Sequence, residues 1–380
     1  MKIGIVCYPT YGGSGVLATE LGLGLAKRGH QVHFITYKRP VRLSHFHENI
    51  YFHEVADTDY PLFEYTPYDT ALTSKLVDVV SYEKIELLHV HYAIPHAAVG
   101  YMAKKILLSQ GGRYVPVITT LHGTDITLVG KNPTFAPVVE FSINKSDGVT
   151  AVSHNLKQHT HHTFNIKHDI EVIHNFVDLN RFHRPNKDHF KKAIAPDGER
   201  IVTHVSNFRK VKRVDNVVKV FKRINEIIPS KLLLIGDGPE RDKTEQLCRQ
   251  LELCNEIRFL GKQEAVEELL AVSDLFLMPS ENESFGLAAL EAMACEVPVI
   301  SSNVGGLPEV NIHGETGYLS DFNNVQEMAD YAIQILANDE TLARFRKNAL
   351  AQAQRFSLDH ILPHYEAYYE HVLQTAVYSA

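Results

Sequence analysis

The chain has 380 residues, a length that suits two or three domains better than one. Its formal net charge is −7 and its pI is near 6.3, which argues against a general nucleic-acid or anionic-membrane surface. The hydrophobic share, 44%, is ordinary for a globular protein, and no uninterrupted apolar run reaches the length of a membrane span. The four cysteines, Cys7, Cys248, Cys254 and Cys295, lack C-x-x-C spacing and read as reduced thiols. An N-terminus that runs straight into a strand pattern adds to the expectation of a cytoplasmic protein.

The first pattern is a strand over Ile3 to Cys7, the turn Tyr11-Gly-Gly-Ser-Gly15, an amphipathic helix from about Val16 to Arg28, and a strand from Val32 to Tyr37. This is a β-α-β unit with parallel strands and a right-handed connection. Gly13-x-Gly15-x-x-Ala18 matches the dinucleotide fingerprint, but Lys38 and Arg39 stand where an acid should hold a ribose. The glycines therefore suit a phosphate or a close-approaching substrate, and NAD is disfavoured. A tight turn that simply needs small residues explains them as well.

Residues 40–70 read as loop with a short strand at Ile50 to Val55. Leu87 to His91 reads as a strand with His89 and His91 on one face. No third ligand follows at a usual spacing, so site-lining or hydrogen-bonded histidines are preferred to a metal site. Val115 to Leu121 runs into His122-Gly-Thr-Asp125, polar residues at the carboxyl end of a strand, where doubly wound sheets bind ligands. His122 suits donation to a sugar hydroxyl or proton transfer, while Asp125 also suits a plain helix cap. Strands follow at Gly148 to Ser153 and Ile170 to His174, and Asn175 to Gly198 reads as the connection out of the first domain.

The pattern then restarts. Arg200 to Ser206 is a strand leading into Asn207-Phe-Arg-Lys-Val-Lys-Arg213 and a helix from about Val214 to Ile228. Four cations in this loop, Arg209, Lys210, Lys212 and Arg213, usually mean a solvated face. At a strand-to-helix turn they also suit a pyrophosphate. Lys231 to Ile235 and Ile257 to Leu260 are strands, the latter ending at Gly261. Leu275 to Met278 is a buried strand followed by Glu283-Ser-Phe-Gly-Leu-Ala-Ala-Leu-Glu291, which opens a helix at Leu287 with Gly286 at the turn. A helix start with unpaired N–H groups suits a phosphate. At helical rise the two glutamates stand roughly 12 Å apart. That is too far to flank one glycosidic bond as acid and base, which needs about 5–9.5 Å. The spacing suits gripping two ends of one elongated ligand, although a capped helix with two solvent-facing acids fits too. Strands Val297 to Ser301 and Gly317 to Leu319, an acidic helix Val325 to Ala337 and a helical tail complete the chain. The tail carries an apolar face of Leu362, Tyr365, Tyr369 and Leu373.

The stretches CYPTYGGSGVLATELG, HVHYAIPHA, TTLHGTDIT, HVSNFRKVKRVD, LLLIGDGPE and ESFGLAALEAMACEVPVI together resemble the GT-B glycosyltransferases. The likeness is closest to the retaining family four, whose signature is a Glu-x7-Glu pair, here Glu283 and Glu291. It implies two doubly wound Rossmann-like α/β domains with a deep cleft between them and a C-terminal helix crossing back to the first. The expected domains are 1–180 with 361–380, binding acceptor, and 181–360, binding a UDP-sugar. The implied reaction moves N-acetylglucosamine from UDP-N-acetylglucosamine to the hydroxyl of L-malate. By motif, Glu283 holds sugar hydroxyls, the amides of Ser284, Phe285, Gly286 and Leu287 meet sugar and phosphate, and Glu291 holds the ribose. Arg209 and Lys212 hold the pyrophosphate, and His122 faces the donor sugar. Gly13, Gly15, Asn207 and Gly261 complete the donor set, with His122, Lys212 and Glu283 as its catalytic members. Ser14, Tyr92, Thr120 and Arg209 are the expected acceptor contacts. The pair Ser206-Asn207 departs from the family's more usual Gly-Arg. No Asp-x-Asp occurs where a metal-dependent transferase needs one, so no cofactor or metal is expected. A homo-oligomer is left open, and a retaining GT-B transferase with another small or lipid acceptor, a UDP-sugar epimerase, a dehydrogenase and a non-catalytic sugar-nucleotide sensor are the rival readings.

Overall fold

A computed structural model describes residues 1–10, 12–43, 46–56, 67–185 and 188–376. Tyr11 of the first turn, residues 44–45 and 57–66 of the expected loop, and the last four residues of the tail lie outside the described residues. The chain divides into two compact units, Met1–Asn175 together with the tail from Leu358, and Phe176–Ser357.

The first unit is built on seven parallel strands: β1 (Lys2–Val6), β2 (Gln31–Thr36), β3 (Ile50–Glu54), β4 (Leu87–His91), β5 (Val117–Leu121), β6 (Gly148–Ala151) and β7 (Glu171–Val172). Their spatial order is β3-β2-β1-β4-β5-β6-β7. Every residue of β4 and β5 is buried, as expected of a parallel strand covered on both faces. Helices Gly13–Lys27, Tyr68–Glu83, Ala98–Ser109, Ala136–Lys145 and His154–Thr163 make the crossovers. The tail helix Leu358–Ala376 belongs to this unit. It buries Leu362, Tyr365 and Tyr369, its Tyr369 hydroxyl lies 2.7 Å from His89 Nδ1, and its Glu366 pairs with Arg28 and His30 at 2.9 Å.

The second unit repeats the plan with β8 (Arg200–Val205), β9 (Ser230–Ile235), β10 (Ile257–Gly261), β11 (Leu275–Met278), β12 (Val299–Ser302) and β13 (Gly317–Ser320), in the order β10-β9-β8-β11-β12-β13, all parallel. The helix Val214–Asn225 turns Val214, Val217, Val218, Phe221 and Ile224 onto this sheet. Each such side chain is worth about 1.5–3 kcal/mol when fully buried. Both sheets are thus doubly wound, and each reverses direction once, between β1 and β4 and between β8 and β11.

The sequence reading did not include the helices Tyr68–Glu83, Ala98–Ser109, Ala136–Lys145 and His154–Thr163, and it differs in three further segments. The strand expected over Ile170 to His174 is only Glu171–Val172. The stretch 175–198, expected as a connection, leaves the first unit at Asn175 and carries a helix, Asp188–Ile194, in the second. Its Lys191 is a structural partner: it reaches Asp274, which is fully buried at the foot of β11. The residues 283–286 are not helical, so helical rise cannot set the spacing of Glu283 and Glu291; the helix begins at Leu287.

Asp274 accepts from Lys191 Nζ at 2.9 and 3.0 Å, from Arg346 Nη2 at 2.5 Å and from the Ile201 amide at 2.9 Å. Removing one partner of a buried ion pair leaves uncompensated charge, which costs about 3–5 kcal/mol. Asp274→Ala should therefore lower the unfolding free energy of the second unit by that amount in urea titration. Removing the exposed partner in the Arg200–Asp339 pair, by Asp339→Ala, should have a far smaller effect, because water screens that pair. Equal effects of the two changes would contradict the assignment.

Candidate active site

In an open parallel sheet the loops leaving two neighbouring strands at the point of reversal run to opposite faces, and ligands bind in the crevice this creates. In the second unit those loops follow β8 and β11. The first contains Asn207, Arg209, Lys210, Lys212 and Arg213; the second contains Glu281 and Glu283 and leads into the helix Leu287–Ala294. The two loops are joined side to side. Lys212 Nζ lies 2.5 Å from Glu283 Oε2, with both side chains largely buried at 18% and 15% exposure. The Glu281 amide donates to the Val211 carbonyl at 2.8 Å, and Arg213 pairs with Glu281 at 2.7 Å and Asp215 at 3.3 Å. Arg213 is thereby committed to holding the loop. Among the described residues Arg209 and Lys210 make no ion pair, and both are exposed, as is Asn207.

The backbone beneath the basic loop is held from inside. His204 donates from Nδ1 to the Leu277 carbonyl at 2.8 Å, and its Nε2 meets the Ser206 hydroxyl at 2.8 Å. Burial lowers the His204 pKa to about 4, which keeps the ring neutral. Phe208 is fully buried and anchors the loop. On the acidic side, Gly305 has φ 57, and a Cβ there would stand 1.8 Å from the Glu283 carbonyl oxygen. Only glycine lets this neighbouring loop press against the Glu283 backbone. The next residue, Gly306, donates its N–H to that carbonyl at 3.0 Å.

Gly286 precedes the helix Leu287–Ala294 with φ 103 and offers no side-chain cap, so the first-turn amides keep the partial positive charge of a helix start. The Phe285 side chain is buried and packs edge-on against Phe356. Ser284, Leu287 and Glu291 are half-buried on the same segment. Gly261 ends β10 at the sheet edge, two strands from the reversal, with its carbonyl bound to the Gly236 amide at 2.8 Å.

In the first unit the reversal lies between β1 and β4. The helix Gly13–Lys27 starts here, and a Cβ on Gly15 would stand 2.4 Å from the Tyr8 carbonyl oxygen. Gly15 is therefore required by helix-to-loop packing, while Gly13 is exposed. Ser14 Oγ accepts from the Tyr92 hydroxyl at 2.8 Å. Tyr92 has φ 82, a region bulky residues rarely adopt, and its amide is pinned to the Thr120 carbonyl at 2.9 Å. The structure thus brings the expected Ser14 and Tyr92 together. It corrects Thr120: the side chain is fully buried, bonded to His89 Nε2 at 2.6 Å and Thr150 Oγ1 at 2.7 Å, and presents no surface to an acceptor. Both faces of β5 are covered, so no residue of this strand is left at the surface.

His122 is half-buried, and its Nε2 lies 2.8 Å from His91 Nδ1. Behind it His89, His91 and His96 form a buried layer, with His96 Nδ1 donating to the His91 carbonyl at 2.6 Å. Asp125, buried beside them, accepts from the Gly123 and Ala93 amides at 3.0 Å, so it ties the β5 loop to the β4 loop. Sequence reasoning offered Asp125 as a cap and expected His91 as a site-lining or hydrogen-bonded residue, and the structure gives His91 a hydrogen bond to His122. It gave no role to His96, His204 or Glu281, and the Leu277 carbonyl and Arg213 that meet the last two lie far away in sequence. A cavity of about 650 Å³ in this unit is lined by Asp147, Gly148, Glu171 and Tyr368. It sits at the amino-terminal ends of β6 and β7, away from the reversal.

The model for glycosyl transferases group 1 matches residues 185–352, and that for glycosyltransferase family 4 matches residues 11–181. The chain is also 47% identical over 376 residues, 98% of both chains, to N-acetyl-alpha-D-glucosaminyl L-malate synthase of Bacillus anthracis. The chain belongs to the family-four, group 1 glycosyltransferases. This glycosyltransferase has the GT-B fold of two Rossmann-like domains. A sucrose-phosphate synthase from Thermosynechococcus elongatus matches it with a TM-score of 0.81 at 20% identity, over 98% of this chain and 99% of that one. The Anabaena protein HepE, solved with UDP-glucose, matches with a TM-score of 0.80 at 22% identity over the whole of both chains. Among the described residues no helix of the glycosyltransferase is long and apolar enough to cross a membrane.

Two expectations follow from this geometry. Lys212→Ala should lower kcat by roughly 10²-fold, the scale of losing one charge-stabilising donor; unchanged turnover at saturating donor would remove Lys212 from the machinery. The second concerns pH. Burial lowers the pKa of His89 to about 3 and of His96 to about 4, and that of His91 falls well below the usual value. An unfolded histidine titrates near 6.5. Stability from these groups is therefore complete above about pH 6.5 and declines as pH falls, by about 1.4 kcal/mol per pH unit per group. Asp125, raised to about 6 by burial, and Asp69, raised by the same cause, work in the opposite sense, but His122 and His33, lowered to about 3 and about 4, add to the three histidines of the layer. The melting temperature should fall steeply between pH 6.5 and 5; a flat profile would contradict the neutral histidine layer.

Proposed function

We propose that the protein transfers N-acetylglucosamine from UDP-N-acetylglucosamine to the hydroxyl of L-malate with retention at the anomeric carbon, as the first step of bacillithiol biosynthesis in the cytoplasm. The observation that carries this reading is the 47% identity, over 98% of both chains, to the Bacillus anthracis relative of that name. In this reading the second unit takes the nucleotide. Lys212 and Arg209 neutralise the diphosphate, the amides of Ser284 to Leu287 meet phosphate and sugar, Glu283 grips sugar hydroxyls and Glu291 the ribose. Ser14 and Tyr92 of the first unit meet malate.

The bond from the anomeric carbon to the UDP oxygen breaks, and the malate oxygen bonds to that carbon on the same face. The malate hydroxyl proton passes to a phosphate oxygen of the departing UDP. Charge builds on the leaving diphosphate, so preorganised cations are the largest stabilising contribution. They do the work that a metal does elsewhere, and no metal enters this mechanism.

A UDP-release assay tests the reading directly. UDP should appear only when UDP-N-acetylglucosamine and L-malate are both present, at a rate unaffected by EDTA, with a glycosylated malate as co-product. Conversion of the donor to another UDP-sugar without malate would establish an epimerase instead. Donor-induced protection from heat with no UDP release under any acceptor would establish a sensor.

A further inference from the structure

We infer that His91 fixes the tautomer of His122, so that His122 presents an Nδ1–H donor, and not a basic nitrogen, to an oxygen of its ligand. What that donor meets rests on the proposed reading; the tautomer itself does not. His91 Nδ1 and His122 Nε2 are 2.8 Å apart, so one of them carries the shared proton. Burial holds both rings neutral, with His122 lowered to about 3, and a neutral imidazole has a single N–H.

If His122 donated, His91 would carry its proton on Nε2. That nitrogen is buried with no hydrogen-bond partner among the described residues, so an N–H would be stranded there. Orphaned buried donors are rarer than under-satisfied acceptors. If His91 donates, its Nε2 is a bare lone pair. The same compromise is already imposed next door. His96 must donate from Nδ1, because its partner is a carbonyl oxygen, and its own Nε2 is left buried and unpartnered. The arrangement with His91 as donor is therefore favoured, and the single proton of His122 then sits on Nδ1. His122 is the half-buried member of the layer, and Nδ1 is the nitrogen it has left for a ligand. Such a group hydrogen-bonds a sugar or leaving-group oxygen and has no lone pair free to take the acceptor's proton. His91 is a positioning residue in this scheme.

Two-bond ¹H–¹⁵N correlation spectra of the histidine-labelled protein distinguish the tautomers. We expect His122 protonated on Nδ1 and His91 likewise. In His91→Phe the His122 signals should move toward the Nε2–H form, with kcat/KM falling about tenfold, the scale of one hydrogen bond. His91→Asn, which keeps an N–H donor near the δ position, should recover most of that loss. His122 protonated on Nε2 in the unaltered protein would overturn the inference. So would unchanged His122 signals in His91→Phe, or equal losses in the two variants. If the protein proved inactive on malate, the spectra would still decide the tautomer.

Discussion

The ion pair between Lys212 and Glu283 is the contact on which the second unit's site depends. It joins the loops that leave β8 and β11, the two strands at which the sheet reverses. At 2.5 Å, with both side chains mostly withdrawn from water, it is a charge-assisted contact that has paid much of its desolvation before any ligand arrives. Such a pair positions more than it stabilises. In the proposed reading it holds the ammonium for a diphosphate and the carboxylate for sugar hydroxyls. Arg213 and Glu281 flank it as the fixed clamp, and Gly305 and Gly306 press on the Glu283 backbone from the other side.

The first unit reaches a comparable end with neutral groups. Its polar layer of His89, His91, His96 and Thr120 lies beneath His122 and Tyr92, and the tail helix closes it through the Tyr369 hydroxyl. The last helix of the chain thus completes the packing under a site formed by residues from its first third. Burial keeps the rings uncharged, so the layer sets hydrogen-bond direction and adds no net charge.

Much of this architecture was legible in the sequence. Apolar runs ending in glycine-rich or polar turns marked most of the parallel strands, and the Leu275 to Met278 strand coincides with β11. The Glu283–Glu291 signature and the loop after β8 pointed to the family. What could not be read are the partnerships. Lys212 and Glu283 are 71 residues apart, and His89 and Tyr369 are 280 apart; no local pattern encodes such pairings. Four cations in one loop looked alike, yet Arg213 is structural, Lys212 pairs with Glu283, and Arg209 and Lys210 face outward. The helices Tyr68–Glu83, Ala98–Ser109, Ala136–Lys145 and His154–Thr163 were not read; the last of them buries only Leu156 and Thr160, too few apolar positions to show a period. The strand-end position of Thr120 suggests the site, but β5 is covered on both faces and the side chain is buried against His89 and Thr150.

The most direct test of the account is a crystal structure of the protein soaked with UDP. The diphosphate should lie against Lys212 and the first-turn amides of the helix Leu287–Ala294, with the ribose at Glu291. A nucleotide bound away from the loops that follow β8 and β11 would contradict the central claim.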